Sequence, residues 1–160
     1  MEIEGVEIAV PDGHQLILGQ SHFIKMVEDL YETLATSMPG AKFGLAFCEA
    51  SGKSLVRSDG TDAGCRKLAV EYASAVRAGH VFVVVLSSAY PINVLNRIKS
   101  VEEVAQVFCA TSNPVTVVVA DTGKGRGVLG VVDGGYPRGE EGEADAIERR
   151  EFLRKIGYKR

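Results

Sequence analysis

His22 has the sequence context best suited to nucleophilic or acid–base chemistry. It follows Ser21 and an apolar strand predicted at Leu16–Leu18, and it precedes a helical pattern that starts at Phe23. Ser21 is therefore predicted to cap that helix, with Lys25 one turn further on. A helix N-terminus attracts phosphate or carboxylate groups, and a neutral imidazole there can act as a nucleophile, an acid or a base. The alternative is a partly buried histidine whose neighbour merely caps the helix.

One glycine turn, Glu49–Ser54, ends in the Gly-Lys-Ser of a P-loop. The first glycine of that motif would have to be residue 47, which is Phe47, and no long helix follows at once. The sequence therefore excludes a Walker site. Glu49, Ser51 and Lys53 could still contact a ligand phosphate, and a solvated hairpin tip is the alternative.

A second glycine turn lies at Asp121–Gly127 and carries Lys124 and Arg126. Residues Gly125–Gly130 match G-x-G-x-x-G, but a strand and a turn follow where a dinucleotide-binding fold needs a helix. A Rossmann site is therefore excluded. The glycines could still let backbone N–H groups converge on an anion, and a flexible hairpin is the alternative.

The segment Tyr90–Lys99 directly follows the apolar run Val81–Leu86. Ligands of open sheets tend to bind beyond the carboxyl ends of strands. Asn93 and Asn96 carry amides that can recognise a base or a ribose, and the Arg97 guanidinium suits phosphate. The segment is thus a candidate nucleoside site, with a capped short helix as the alternative.

Composition limits the class of protein. The chain has 18 Lys and Arg against 21 Asp and Glu, a net charge of −3, and 46% of its residues are hydrophobic. These values exclude disorder and argue against binding to nucleic acid. The longest apolar run is far shorter than the roughly 20 residues that span a bilayer, and no signal peptide opens the chain. We therefore expect a cytoplasmic protein with no nucleic-acid or membrane partner.

The cysteines and histidines predict no metal site. Cys48, Cys65 and Cys109 are widely spaced, which favours reduced thiols over a disulfide framework or a zinc site. Cys48 and Cys109 lie in apolar runs and are predicted to be buried. The three histidines are too scattered to form a ligand cluster.

Hydrophobic periodicity predicts the element order ββαββαβαβββα in one domain over residues 1–160. Strands are predicted at Ile3–Val10, Leu16–Leu18, Phe43–Phe47, Ser54–Arg57, His80–Leu86, Val104–Ala110, Val115–Ala120 and Gly127–Val132. Helices are predicted at Phe23–Leu34, from Thr61 or Asp62 to Arg77, at Ile92–Lys99 and at Glu143–Ile156.

The consecutive C-terminal strands disfavour an all-parallel sheet. We expect an α/β (α+β layered) fold, in which helices pack on a mixed, partly antiparallel sheet. The turn Pro11–Gly13 predicts a hairpin between the first two strands, and Gly44 and Gly130 are interpreted as packing positions inside strands.

Several distinctive blocks along the chain resemble the adenosine-specific kinase family of archaea and bacteria. The blocks are Gly19–Lys25, Lys42–Gly44, Phe47–Lys53, Ala89–Lys99, Phe108–Thr111 and Gly125–Gly134. The resemblance implies a homotrimer with an α/β fold and ligand sites near subunit interfaces. It also implies binding of adenosine and adenine nucleotides, and a histidine that can carry a phosphoryl group. It does not identify that histidine, and the predicted helix N-terminus favours His22 over His80.

The favoured hypothesis is a phosphotransferase that acts on adenosine, with ATP or another adenine nucleotide as phosphoryl donor. His22 would accept the phosphoryl group, and Lys25 and Lys53 would neutralise its charge. Mg²⁺ could accompany the nucleotide, held by Glu49 or Asp133.

The remaining polar residues would bind the nucleoside and its phosphates. These are Asn93, Asn96 and Arg97, together with Lys124 and Arg126 of the Gly123–Gly127 loop. The alternative hypothesis is a non-catalytic regulatory module that binds AMP or adenosine through the same loops.

Overall fold

The computed structural model describes all 160 residues, which form eight strands and four α-helices in the predicted order. The strands are β1 (Glu2–Ile8), β2 (Gln15–Ser21), β3 (Phe43–Cys48), β4 (Val56–Gly60), β5 (Val81–Leu86), β6 (Val104–Thr111), β7 (Val115–Asp121) and β8 (Arg126–Asp133). The helices are α1 (Met26–Ser37), α2 (Ala63–Val76), α3 (Leu95–Lys99) and α4 (Glu143–Lys155), and a 3₁₀ turn spans Pro91–Asn93. The α+β class is thus confirmed.

The strands form two sheets and not the single mixed sheet expected from the sequence, and every pairing in them is antiparallel. The larger sheet has the order β4-β3-β5-β2-β6, and the smaller one has the order β1-β7-β8. All six residues of the central strand β5 are buried. Its continuous Val-rich sequence is typical of a strand that is covered on both faces.

The two faces of the larger sheet pack against different partners. In β3, the large side chains of Phe43, Leu45 and Phe47 face α1 and α3. The smaller side chains of Ala46 and Cys48 face α2 and the three-stranded sheet. Alternation along a strand therefore separates a bulky core on the α1 side from a closely packed core on the α2 side.

Gly44 sets the close approach of α2 to the sheet. A Cβ atom at this position would lie 2.1 Å from the backbone nitrogen of Arg66, so the helix backbone rests directly on β3. The packing role predicted for Gly44 is confirmed. A Cβ atom at Gly130 would meet nothing within 4 Å, so the same interpretation of that glycine is wrong.

Two predictions near the N-terminus are wrong. The strands on either side of Pro11–Gly13 do not form a hairpin, because β1 pairs with β7 whereas β2 pairs with β5 and β6. In addition, α1 begins at Met26, not at Phe23, and Lys25 is its N-cap residue.

Strand pairing explains the late start of α1. Ser21 still belongs to β2, and the His22 N–H donates to the carbonyl of Glu103, 2.9 Å away, just before β6. Phe23 then adopts a left-handed backbone conformation with φ 73°, which interrupts the helix. Ser21 is therefore not a helix cap, and His22 does not lie in the first turn of a helix.

Helix α3 is shorter than predicted, and helix α4 is not buried. The predicted helix at Ile92–Lys99 is divided into the 3₁₀ turn and the short α3. Helix α4 has no buried residue. No helix in the chain has both the length and the apolar character needed to cross a membrane.

Candidate functional site

Both histidines of interest lie at one end of the five-stranded sheet, where β2 and β3 end and β4, β5 and β6 begin. The Ser21 N–H donates to the His80 carbonyl over 2.9 Å, and the His80 N–H donates to the Cys48 carbonyl over 2.7 Å. His22 is tied to the start of β6 by its bond to Glu103. We call the side chains of His22, His80, Arg57, Lys25 and Glu103 at this end the strand-end cluster.

The two histidines have different surroundings. His22 is exposed, and its ring lies 6.3 Å from that of the adjacent Phe23. His80 is half-buried, has a left-handed backbone with φ 63°, and stacks on Phe47 with ring centroids 5.8 Å apart and planes at 15°. An exposed imidazole is accessible to a ligand, whereas a stacked one is held in a fixed orientation.

Arg57 is a cluster residue that the sequence pattern did not assign to the site. It is the cross-strand neighbour of Phe47, and its guanidinium carbon lies 5.1 Å from the centre of the Phe47 ring. One guanidinium nitrogen donates to the carbonyl of Ile24, while Nε and Nη2 are buried without a hydrogen-bond partner. The backbone after His22 is thus fixed by a cation that retains unused donors.

Lys25 connects the cluster to α1. Its ammonium lies 3.1 Å from a carboxylate oxygen of Asp29 and 3.7 Å from one of Glu103. Burial and the neighbouring Asp29 raise the pKa of Glu103, and Glu103 and Lys25 lower the pKa of Asp29. Asp29 also raises the pKa of Lys25, which therefore carries its charge at neutral pH.

A groove of about 630 Å³ runs between α1 and α3 beside this cluster. We call it the α1–α3 groove. It contains two basic side chains, Lys25 and Arg97, against four acidic ones, Asp29, Glu32, Glu102 and Glu103. Two of the residues predicted to bind nucleotide, Lys25 and Arg97, are therefore brought together in an environment with excess negative charge.

A second depression of about 880 Å³ lies between the C-terminal end of α2, the β3–β4 turn and the β7–β8 turn. We call it the β7–β8 cleft. It brings together the predicted residues Glu49, Lys124 and Arg126 with Asp121 and with Arg77, which the sequence pattern did not single out. These segments are distant in the sequence, and the order of the strands in the sheets brings them together. The sequence pattern does not directly indicate that they lie close to one another.

Several polar groups of the β7–β8 turn are already bonded within the chain. Arg126 pairs with Asp121 at 2.8 Å and with Glu4 at 2.7 Å. The Gly123 N–H donates to Asp121 over 2.8 Å, and this bond, followed by Arg126, lowers the pKa of Asp121. The Thr122 hydroxyl donates to the Gly125 carbonyl. The side chain of Lys124 has no such partner.

The other predicted site residues lie apart from both depressions. Ser51 and Lys53 are exposed in the β3–β4 turn, Asn96 is exposed on α3, and the buried Ser21 hydroxyl has no hydrogen-bond partner. Asn93 follows the far end of β5, where its amide donates to the Tyr158 hydroxyl over 2.8 Å and accepts from the Tyr90 N–H.

The two carboxylates considered for Mg²⁺ do not form a common site. Asp133 accepts hydrogen bonds from the side chains of Thr111 and Asn113, whereas Glu49 lines the β7–β8 cleft. Nowhere do three His, Cys, Asp or Glu side chains gather as metal ligands. The residues therefore do not fit a magnesium site built by the protein.

The cysteines are not poised for nucleophilic chemistry. Burial raises the pKa of Cys48 and of Cys109 to about 11. Their thiols stay protonated at neutral pH. Cys48 is buried as predicted, whereas Cys109 is only half-buried, so the core position predicted for Cys109 is wrong.

Comparison with known proteins agrees with the fold and with the resemblance in sequence. The crystal structure of the PH1918 protein from Pyrococcus horikoshii OT3 is similar over 99% of this chain and 98% of that one, with a TM-score of 0.92 and 46% identity. No curated protein matches the chain. A family profile described as adenosine specific kinase matches residues 6–159, which is essentially the whole sequence. The chain belongs to the adenosine-specific kinase family.

Proposed function

We propose that the protein transfers a phosphoryl group from ATP or another adenine nucleotide to adenosine through a phosphohistidine at His22. The observation that carries the proposal is the strand-end cluster of a chain in the adenosine-specific kinase family. There the exposed His22 is three residues before Lys25, and Arg57 donates to the carbonyl of Ile24, two residues after His22. Phosphoryl transfer depends mainly on positioning and on neutralising charge. The cluster supplies a nucleophile and two cations for these tasks.

The reaction takes place in two balanced displacements. A ring nitrogen of neutral His22 attacks the terminal phosphorus of the donor, an N–P bond forms, and the bridging O–P bond breaks to release the nucleoside diphosphate. A hydroxyl oxygen of adenosine then attacks the same phosphorus. The N–P bond breaks, the imidazole leaves, and the hydroxyl proton passes to solvent.

The surrounding residues support this chemistry by charge and position. Lys25 and Arg57 stabilise the negative charge of the phosphoryl group on His22, and Arg97 adds a further cation within the largely acidic α1–α3 groove. Lys53 lies in the exposed β3–β4 turn, and it could reach the phosphoryl group only from there. His80 is the alternative phosphoryl carrier, since it lies at the same end of the sheet.

The proposed assembly is a cytoplasmic homotrimer, with ligand sites near the subunit interfaces. Exposed apolar side chains support self-association: Ile3 and Leu129 on the three-stranded sheet, and Ile147 and Phe152 on α4. Surfaces of this kind commonly mark protein interfaces.

The test is incubation with γ-labelled ATP, with and without adenosine. The wild-type protein is expected to take up a label that acid removes and alkali preserves, and to lose it when adenosine is added. His22→Ala should not be labelled, whereas His80→Ala should be. Equal labelling of His22→Ala would contradict the assignment. Tight binding of adenosine or AMP without any labelling would favour the non-catalytic regulatory module.

A further inference from the structure

We infer that the β7–β8 cleft binds the phosphate end of the donor nucleotide, and that Arg77 and Lys124 hold it. The inference rests on the proposed function, because that function requires a second, charged substrate beside adenosine. The cleft is separate from the α1–α3 groove, and it reaches the strand-end cluster through the loop that joins α2 to β5.

The size and lining of the cleft suit a nucleotide. Its volume of about 880 Å³ lies within the range of about 300–1,000 Å³ that is usual for small-molecule sites. Its apolar lining consists of Cys48, Ala50, Val56, Ala73 and Ala78, and charged side chains surround it. An apolar lining with a few polar groups accommodates a ligand that has a planar apolar part and an anionic part.

Two of the three cations in the cleft are free to bind an anion. The charge of Arg126 is neutralised by Asp121 and Glu4. Arg77 and Lys124 have no carboxylate within 4.0 Å. They approach the cleft from different elements, one from the end of α2 and the other from the β7–β8 turn. Cations that lack a close ion-pair partner and come from different elements of a cleft favour a multiply charged ligand, even though Arg77 is near enough to Asp121 to help lower its pKa.

The backbone conformation of Arg77 supports the role of its side chain in binding the donor. Arg77 ends α2 in the left-handed conformation, with φ 54° and ψ 32°, where glycine is the residue of lowest cost. His80, three residues later, is also left-handed with φ 63°. Between them, a Cβ on Gly79 would lie 2.9 Å from Ala50 Cβ, so this short loop is tightly confined. Strained residues of this kind are concentrated at functional sites.

The loop from Arg77 to His80 therefore connects the cleft, where the donor would bind, with the strand-end cluster, which would accept the phosphoryl group. Its first residue, Arg77, lines the cleft, and its last residue, His80, belongs to the strand-end cluster. A donor held by Arg77 and Lys124 would lie on the α2 side of the cluster, opposite the groove on the α1 side.

The test compares binding of ADP, adenosine and pyrophosphate by calorimetry in the wild-type protein and three variants. Arg77→Gly removes the cation at a position where glycine suits the backbone, so the fold is retained. Lys124→Gln removes the other cation. Lys67→Gln is the matched control, since Lys67 is an exposed cation of the same helix that does not line the cleft.

Arg77→Gly and Lys124→Gln are each expected to weaken ADP binding by about tenfold or more, as for loss of a hydrogen bond to a charged group. Adenosine affinity should stay the same in both, and Lys67→Gln should bind all three probes like wild type. Arg77→Lys, which keeps the charge but loses the planar fork, should bind ADP with intermediate affinity. Pyrophosphate should bind more weakly than ADP, because it leaves the apolar lining unused.

The outcomes separate this inference from the proposed function. Unchanged ADP affinity in both cleft variants would overturn the inference even if His22 is labelled. Selective loss of ADP binding would support the inference even if no phosphoryl transfer to His22 is found.

Discussion

The α1–α3 groove and the β7–β8 cleft flank the same end of the sheet but differ in charge. The groove has two basic and four acidic side chains, whereas the cleft has three basic and two acidic ones and an apolar lining. An uncharged nucleoside rich in hydroxyl groups suits the first environment, and a polyanion suits the second. In the proposed reaction, two substrates of unlike charge would therefore lie on opposite sides of the strand-end cluster.

The two faces of the sheet account for this difference. On the α1 side, Phe43, Leu45 and Phe47 fill the core and keep the helices at a distance from the strands. On the α2 side, Gly44 lets the helix backbone rest on β3. The end of α2 is therefore positioned tightly, and with it Arg77 at the edge of the cleft.

The largest expected effect is that of removing this close approach. Gly44→Ala places a methyl group 2.1 Å from the Arg66 nitrogen, so α2 must move, and we expect a loss of about 3 kcal/mol in the free energy of unfolding. Gly130→Ala is the matched strand control, because its new methyl group meets no atom within 4 Å. Urea unfolding measures both, and equal stability of the two variants would contradict the packing difference between the faces.

Much of the fold follows from local sequence pattern. The order of elements and the strand β5 were predictable, since periodicity is a local signal. The partner of a strand is not local. Alternation in β1 indicates which residues face the core, but it does not distinguish pairing with β2 from pairing with β7.

The site was less predictable for the same reason. The helical spacing at Phe23 and Ile24 looks like a helix start, yet the bond from His22 to Glu103, a residue 81 positions away, continues the strand pairing. Arg57 and Arg77 look like ordinary surface cations in the sequence. They acquire partners only when the sheet order places Phe47, Ile24 and the β7–β8 turn beside them.

The salt dependence of ligand affinity is the effect of intermediate size, and it distinguishes the β7–β8 cleft from the α1–α3 groove. Between about 50 and about 500 mM salt, ADP affinity is expected to fall by about tenfold, because ions screen the exposed cations of the cleft. Adenosine affinity should change little, since adenosine is uncharged. Calorimetric titration at several salt concentrations checks this, with Lys124→Glu expected to bind ADP weakly at every concentration. Equal salt sensitivity of adenosine and ADP would contradict the charge difference.

The smallest expected effect concerns Glu103, the most buried acid of the groove. Its side chain is 4% exposed, and its nearest cation, the Lys25 ammonium, lies 3.7 Å from one carboxylate oxygen. Burial and Asp29 raise its pKa above the ordinary 4.5. An acid whose pKa rises on folding destabilises the folded state while it is ionised. That cost is fully present above the folded-state pKa, and it disappears as the pH falls through that pKa towards 4.5.

Glu103→Gln removes this titration, so its melting temperature should exceed that of wild type by about 2–4 °C near neutral pH. The difference in melting temperature should narrow towards about pH 5, because wild-type Glu103 takes up a proton there. Asp29, whose pKa is lowered, loses its contribution only below 3.8, and Lys25 titrates above 10.5, so neither disturbs this window. Glu102→Gln, at the exposed neighbouring position, is the control and should keep the wild-type pH profile. If both variants follow the wild-type profile, ionised Glu103 adds no free-energy cost to the folded state. That result would contradict the cost expected from its burial.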